Sequence, residues 1–175
     1  SLRNLCFGKG NDRFQHYDVG WNYRLTNIQA TLGLSQLKDL KKNVRRKKEI
    51  GKLYFKLLKD IKNIYIQKPK DGNFENVYWV YGVVVNNKID ISKLTLDLQK
   101  RGVQTRPFFF PMHKQKILQK FINKNERFVN SEHISSKGFY LPSGLALNEK
   151  DIRVICKIFK NLTKFNSSCF CNIAH

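Results

Sequence analysis

Apolar residues recur at mainly three- and four-residue intervals from Ile28 through Leu32, Leu34, Leu37, Leu40 and Val44, and again from Ile50 through Leu53, Tyr54, Leu57, Leu58 and Ile61. That spacing gathers them on one side of an α-helix, so the segment predicts one long amphipathic helix or two in tandem, with Thr26 or Asn27 as the N-cap. Whatever else the chain folds into must cover that side. The dense basic run Lys41-Lys42-Asn43-Val44-Arg45-Arg46-Lys47-Lys48 falls between the two apolar series, where a solvated face or a bend would put it. Gly33 costs the helix about 1 kcal/mol relative to alanine. Close approach of another backbone, a neighbouring subunit among the candidates, would compensate.

Past the helix the pattern changes. Ile64–Ile66 and Val77–Val85 are rich in β-branched and aromatic residues and read as two strands joined by the loop Lys68-Pro69-Lys70-Asp71-Gly72-Asn73. Asp90 or Ser92 opens a short helix carrying Leu94 and Leu98, which Gly102 closes before a strand from Val103 to Arg106. Pro107 and Pro111 bracket Phe108-Phe109-Phe110, three aromatics that a solvent-exposed loop does not normally hold, so core, ligand or partner is expected to cover them. Short helical signals follow at 114–122 and 126–137, then the apolar Phe139-Tyr140-Leu141 and a Pro142-Ser143-Gly144 turn. In the last helix Asn148 caps, Glu149 and Asp151 favour the positive end of the dipole, and Ile152, Ile155, Cys156 and Phe159 form the buried face. A long helix followed by mixed strands and helices is an α+β fold. Residues beyond about Phe165 lose the periodicity and read as a tail or foreign extension.

A chain of 175 residues, 41% of them hydrophobic, can bury one sizeable core. Its 33 Lys and Arg against 13 Asp and Glu give a formal charge of +20, which raises the possibility of a basic nucleic-acid-binding module. Scattered lysines among many Asn and Ile favour a solvated surface instead. Four cysteines, Cys6, Cys156, Cys169 and Cys171, form no disulfide framework, which points to a reducing cytoplasm. Cys169, Cys171 and His175 are one ligand short of a metal site, so no metal is expected. No apolar run approaches the length needed to span a bilayer, and Ser1-Leu2-Arg3-Asn4 opens no signal peptide. The opening reads as a chain already under way, as a fragment does.

Two segments carry candidate chemistry. Asn22, Tyr23, Arg24, Thr26, Asn27 and Gln29 crowd the start of the first helix, where free N–H groups and the dipole attract phosphate or carboxylate. On spacing alone, a simple cap with Arg24 paired to a carboxylate accounts for them equally well. Arg106, Phe108, Phe109 and His113 combine a fixed cation, an aromatic surface and an imidazole on one loop suited to a phosphorylated or ring-shaped ligand. His113 has no carboxylate partner identifiable in the sequence. No Ser/His/Asp order, glycine-rich phosphate loop or paired-carboxylate signature occurs.

The string Gly20-Trp21-Asn22-Tyr23-Arg24-Leu25-Thr26-Asn27-Ile28-Gln29-Ala30 with Gly33, then Gly102-Val103-Gln104-Thr105-Arg106-Pro107-Phe108-Phe109 with Pro111 and His113, then Leu141-Pro142-Ser143, closely resembles the DegT/DnrJ/EryC1/StrS nucleotide-sugar aminotransferases, nearest to perosamine-synthase-like members. The resemblance covers roughly residues 1–162. It implies the C-terminal small domain of a fold-type I aminotransferase preceded by a long helix from the end of the large domain. The expected boundaries are 1–48 for the end of the large domain, 49–162 for the C-terminal domain and 163–175 for the tail.

The resemblance further implies pyridoxal phosphate shared across a homodimer. Asn22 would reach the cofactor phosphate of the neighbouring subunit, with Tyr23 and Arg24 in the same shared site. The loop from Arg106 to His113 would approach the sugar nucleotide, glutamate would donate the amino group, and the Pro142 motif would serve the fold. The family's Schiff-base lysine belongs before the position of Ser1, and Lys9 in Phe7-Gly8-Lys9-Gly10 is not in its place. The chain by itself is therefore expected to lack transamination, which requires that lysine. It would act with a longer parent chain or a separately encoded N-terminal half, or be a noncatalytic dimerising pseudoenzyme. Dehydratase relatives that keep the scaffold and replace the lysine share the same motifs.

Overall fold

A computed structural model describes residues 18–123 and 126–165. The chain divides into two compact units, residues 1–42 and 43–175.

In the first unit, helix α1 (Asn27–Lys38) starts at a full capping box. Thr26 Oγ1 accepts the Gln29 N–H at 3.2 Å, and Gln29 Oε1 accepts the Thr26 N–H at 2.9 Å. Each side chain satisfies a backbone donor that the helix cannot. Asp39 closes α1, its N–H reaching the Gln36 carbonyl at 3.2 Å. The tandem arrangement is thus the one adopted, because helix α2 (Leu40–Leu58) begins immediately after. None of the α1 residues is buried.

The second unit holds a four-stranded antiparallel sheet in the order β1-β4-β6-β5, formed by β1 (Ile64–Ile66), β4 (Tyr81–Val85), β5 (Arg106–Pro107) and β6 (Gly138–Leu141). A separate hairpin pairs β2 (Lys70–Asp71) with β3 (Phe74–Glu75). Helices α2, α3 (Ile91–Lys100) and α5 (Glu149–Phe165) supply the buried residues that meet the sheet. Strand alternation decides which sheet residues enter this core. Tyr81, Val83 and Val85 of β4, with Leu141 and Phe139 opposite the first two on β6, are buried beside Ile50, Tyr54, Leu94, Leu98, Ile152 and Phe159. Gly82, Val84, Gly138 and Tyr140 face the other way, where helix α4 (Val129–Lys137) lies.

The N-terminus of α5 carries the expected Asn148 cap, Asn148 Oδ1 accepting the Asp151 N–H at 2.9 Å, and Asp151 makes it reciprocal, its Oδ2 accepting the Asn148 N–H at 3.1 Å. Ile152, Ile155, Cys156 and Phe159 are all buried. Burial pushes the Cys156 thiol up to about 12. Asp90 caps α3 through the Ser92 and Lys93 N–H groups, and Gly102 takes φ +79, a left-handed turn that ends the helix.

Three expectations are corrected. The apolar stretch from Val77 is a strand only from Tyr81, because Asn76 Oδ1 turns the chain by accepting the Tyr78 N–H at 2.8 Å and Tyr78 adopts φ +52. Val103 is buried without joining the sheet, which it leaves to Arg106 and Pro107. The basic run is not simply a solvated face. Lys47 Nζ donates to the carbonyls of Trp79 (2.9 Å) and Ser143 (2.6 Å), Arg46 donates to the Leu147 carbonyl, and Lys48 pairs with Glu75 at 2.6 Å. Desolvation lowers the pKa of Lys47. With Tyr54 Oη donating to the Pro142 carbonyl at 2.7 Å, these bonds tie the loop after β6 to α2 and give the Leu141-Pro142-Ser143 motif a structural role.

Candidate active-site segments

In the first unit, Asn22, Tyr23 and Arg24 are all exposed ahead of α1. Asn22 Oδ1 accepts the Arg24 N–H at 3.2 Å, which leaves the carboxamide NH2 of Asn22 to donate outward. The Arg24 guanidinium has no ion pair among the described residues, so the carboxylate-pairing reading finds no partner there. Trp21 and Tyr23 stack with ring centroids 6.2 Å apart and planes 11° apart. Val19, Trp21, Tyr23, Leu25, Ile28 and Leu32 are exposed in this one stretch, an apolar surface of the kind that marks an interface.

In the second unit, the loop after β5 separates its residues into two kinds. Phe108 turns inward. Its ring lies over Gly82 of β4 and Gly138 of β6, where an added Cβ would come within 2.7 Å and 1.7 Å of ring atoms, and it meets Tyr140 edge-on at 4.4 Å. It helps line a cavity of about 370 Å³ with Tyr65, Val84 and Ile134. Phe109 and Phe110 stay exposed, so of the covers expected for the three aromatics the core supplies one for Phe108 alone. Phe109 lies parallel to Trp79, centroids 6.5 Å apart and planes 11° apart.

Arg106 is opposite Tyr140 in the β5–β6 register, which aims its side chain toward the face carrying the Tyr140 phenol. The guanidinium of Arg106 has no ion pair among the described residues. His113 is held in place. Its Nε2 is 3.0 Å from Glu132 Oε1, its ring packs on Phe128 at 4.6 Å, and its carbonyl accepts from Gln119 at 2.7 Å. Glu132 also takes Lys114 at 2.7 Å, and hydrogen bonds first from Lys114 and then from His113 hold its carboxyl below the usual range.

Glu132 is the carboxylate partner that sequence reasoning missed. It stands 19 residues away on α4, at a distance where no local spacing signals a contact. The exposure of Trp79 beside Phe109 was not foreseen either, since within a run of strand-forming residues nothing distinguishes it from a core aromatic. The Cys169, Cys171 and His175 cluster lies outside the described residues, and the described residues contain no group of His, Cys, Asp and Glu able to hold a metal ion. No helix among the described residues is long and apolar enough to cross a membrane.

Residues 1–160 match the sequence profile of the DegT/DnrJ/EryC1/StrS aminotransferase family. The chain belongs to this family. Within it, the chain is similar to the GDP-perosamine synthase of Vibrio cholerae, 28% identical over 151 residues that cover 85% of this chain and 40% of the relative. A UDP-4-amino-4,6-dideoxy-N-acetyl-beta-L-altrosamine transaminase of Helicobacter pylori is 30% identical over 156 residues, covering 84% and 40% respectively. Among solved structures, Helicobacter pylori PseC, an aminotransferase involved in pseudoaminic acid biosynthesis, superposes with a TM-score of 0.78 at 23% identity over 94% of this chain and 44% of that one. The aminotransferase TlmJ from Streptoalloteichus hindustanus gives 0.79 at 19% identity, covering 95% and 44%.

The fold is therefore that of the C-terminal portion of a DegT/DnrJ/EryC1/StrS aminotransferase, α+β with a small antiparallel sheet. The chain spans about 40% of the length of the curated relatives it matches.

Proposed function

We propose that this chain is the C-terminal part of a pyridoxal-phosphate-dependent aminotransferase that passes an amino group from glutamate to a keto-deoxy nucleotide sugar in cytoplasmic synthesis of a surface polysaccharide. It works as part of a homodimeric parent or with a separately encoded N-terminal half. The observation that carries this reading is the family match over residues 1–160, together with a first unit whose Asn22, Tyr23 and Arg24 are exposed beside an uncovered apolar stretch.

The donor set fits a cofactor phosphate. An amide NH2 at Asn22 and a guanidinium at Arg24 with no ion pair among the described residues stand just ahead of a helix N-terminus, and a guanidinium grips phosphate oxygens two at a time. Asn22, with Tyr23 and Arg24 beside it, would hold the cofactor from across the subunit boundary. Pyridoxal phosphate, when bound, supplies the electron sink for the amino-group exchange. The lysine that forms the linkage and moves the proton belongs to the complementary part. In the second unit, Arg106 and Phe109 face the nucleotide sugar, while Phe108 and His113 fix the loop that carries them.

The experiment is reconstitution. The coding DNA upstream of Ser1 is read for an open frame with a lysine before a glycine-rich turn, that frame is expressed, and the two parts are combined with pyridoxal phosphate. The expected result is amino transfer from glutamate to a 4-keto-6-deoxy nucleotide sugar, reduced at least about tenfold by Asn22→Ala, the loss of one hydrogen bond to a charged group. With this chain alone and pyridoxal phosphate at or below equimolar, borohydride is expected to label its lysines without preference. A single lysine of this chain labelled stoichiometrically in preference to the rest, or a combined pair inert toward every keto nucleotide sugar, overturns the proposal.

A further inference from the structure

We infer that one flank of α5 is a trough for the sugar–phosphate backbone of single-stranded nucleic acid, gripped by Arg153, Lys157, Lys160 and Lys164, with Lys62 at its end. This surface is separate from the segments assigned above to cofactor and substrate, and the inference stands independently of the aminotransferase reading.

The sequence of α5 already separates its charges. Its two acidic residues, Glu149 and Asp151, stand in the first turn, and from Ile152 to His175 the chain has no Asp or Glu. Arg153, Lys157, Lys160 and Lys164 recur at intervals of four, three and four residues, which stacks them in one row beside the buried face of the helix. At about 1.5 Å per residue the row is about 16 Å long.

Two hollows follow that row. One, of about 310 Å³, lies where Leu57 of α2 meets Arg153, Cys156, Lys157, Lys160 and Lys164. The other, of about 470 Å³, is bounded by Lys160 and Lys164 with Asp60, Ile61, Lys62 and Asn63 of the turn after α2. Lys160 and Lys164 line both, so the hollows make one continuous trough. Asn63 adds a neutral donor, because its side-chain oxygen is taken by Asn86 Nδ2 at 2.7 Å and only its NH2 is left to offer.

Other cations of the chain keep acidic company, Arg45 and Arg46 with Glu49, Lys48 with Glu75 and Lys114 with Glu132. In the trough only Arg153 does, at Glu149, while Lys62, Lys157, Lys160 and Lys164 have no ion pair among the described residues. Asp60 is the single carboxylate in the described lining. Burial raises the Cys156 thiol and Lys160 and Arg153 pull against it, as cations on one flank of the helix must. The negative end of the helix dipole accounts for Lys164 in the last turn, but its reach ends there and leaves Lys157 and Arg153 unexplained.

A row this long outreaches a single phosphate and suits a polymer of them. Leu57 and Ile61 leave apolar floor between the ammonium groups, which the sugars of a nucleic-acid backbone cover and an unbroken polyphosphate chain does not. One row of cations in a groove tracks one strand. No aromatic side chain is among the described residues of the lining, so bases have nothing to stack on and binding is indifferent to sequence.

The test is fluorescence anisotropy of a labelled single-stranded RNA of about 15 nucleotides, titrated with the full chain between about 50 and 200 mM salt, with circular dichroism verifying the fold of each variant. Replacing Lys157, Lys160 and Lys164 together by Gln is expected to weaken binding at least about tenfold at the lowest salt and to flatten the log–log salt slope by about 2, the release expected from three contacts to a single strand. The same charge removed at Lys88, Lys93 and Lys100, which line neither hollow, is expected to change affinity less than about threefold. Two RNAs of unrelated sequence are expected to bind alike. No binding by the folded native chain, equal losses in the two triple variants, or an unchanged slope in the first overturns the trough. Polyphosphate of matched charge, a duplex of the same length, or acidic lipid vesicles bound more tightly than the strand overturns its occupant.

Discussion

The ring of Phe108 lies on the backbone of Gly138 so closely that a Cβ at Gly138 would come within 1.7 Å of ring atom Cδ2 and 2.4 Å of the Ile134 carbonyl. Gly138 has an extended backbone, so it is the approach of its neighbours, and not its own torsion angles, that excludes a side chain. Gly138→Ala is expected to destabilise the chain by about 3 kcal/mol, the upper end of the usual overpacking cost, since one of the two obstacles is backbone. Combining it with Phe108→Ala is expected to return part of that loss. Urea melts of the two single variants and the double variant measure the coupling, and simple additivity would rule out the Phe108 clash as its cause.

Tyr81 is sandwiched between Tyr54 (4.6 Å) and Tyr78 (5.6 Å), and its buried hydroxyl has no hydrogen-bond partner among the described residues. Leaving such a group unpaired costs stability, so Tyr81→Phe is expected to raise it by about 1 kcal/mol with the stack intact. Tyr54→Phe loses the bond to the Pro142 carbonyl and is expected to lower stability. Thermal melts that reversed this order would be incompatible with the pairing described.

Glu132 has its carboxyl held below the ordinary range by Lys114 first and His113 second. A carboxylate depressed on folding contributes stability that is present above its unfolded pKa and is lost as pH falls through the folded value. Tm curves of the native chain and Glu132→Gln are therefore expected to be separated at pH 6 and to converge as acid is added through the carboxylate range and below. A separation independent of pH would assign the effect to packing.

Cys156 is buried and its thiol is pushed up to about 12, so almost no thiolate is present near neutrality. In a chain whose Cys6, Cys169 and Cys171 are changed to Ser, a thiol-specific chromogenic disulfide is expected to leave Cys156 unmodified at pH 8 until denaturant is added. Rapid native labelling would contradict the packing of α5.

The elements most legible in the sequence were those decided locally. Thr26, Asn148 and Asp90 are caps whose partners lie within a few residues: Asn148 caps as the spacing predicts, and Thr26 and Asp90 are each one of the two caps it allowed. What escaped depends on contacts across the chain. Glu132 meets His113 only because α4 is carried back to the loop after β5, and Lys47 leaves the solvent only because its two carbonyl partners, 32 and 96 residues away, converge on α2. Trp79 reads as a strand residue until Tyr78, with positive φ, is seen to hold it outside. Arg106, Phe108, Phe109 and His113 were identified together from the loop's composition, but Phe108 turns inward where Phe109, identical in type, stays exposed, because two glycines on neighbouring strands make room for it.

Helix α1 has twelve residues and none of them is buried, with Ile28, Leu32, Leu34 and Leu37 all more than 60% exposed. A helix of that length is marginal in water without a surface to pack on. Where the surface that covers α1 belongs to another chain, the folding of residues 27–38 is coupled to binding and gains stability with that chain's concentration, whereas the second unit carries its own core. Raising the concentration of such a chain is then expected to shift the melting of residues 27–38 and leave the sheet's melting where it was.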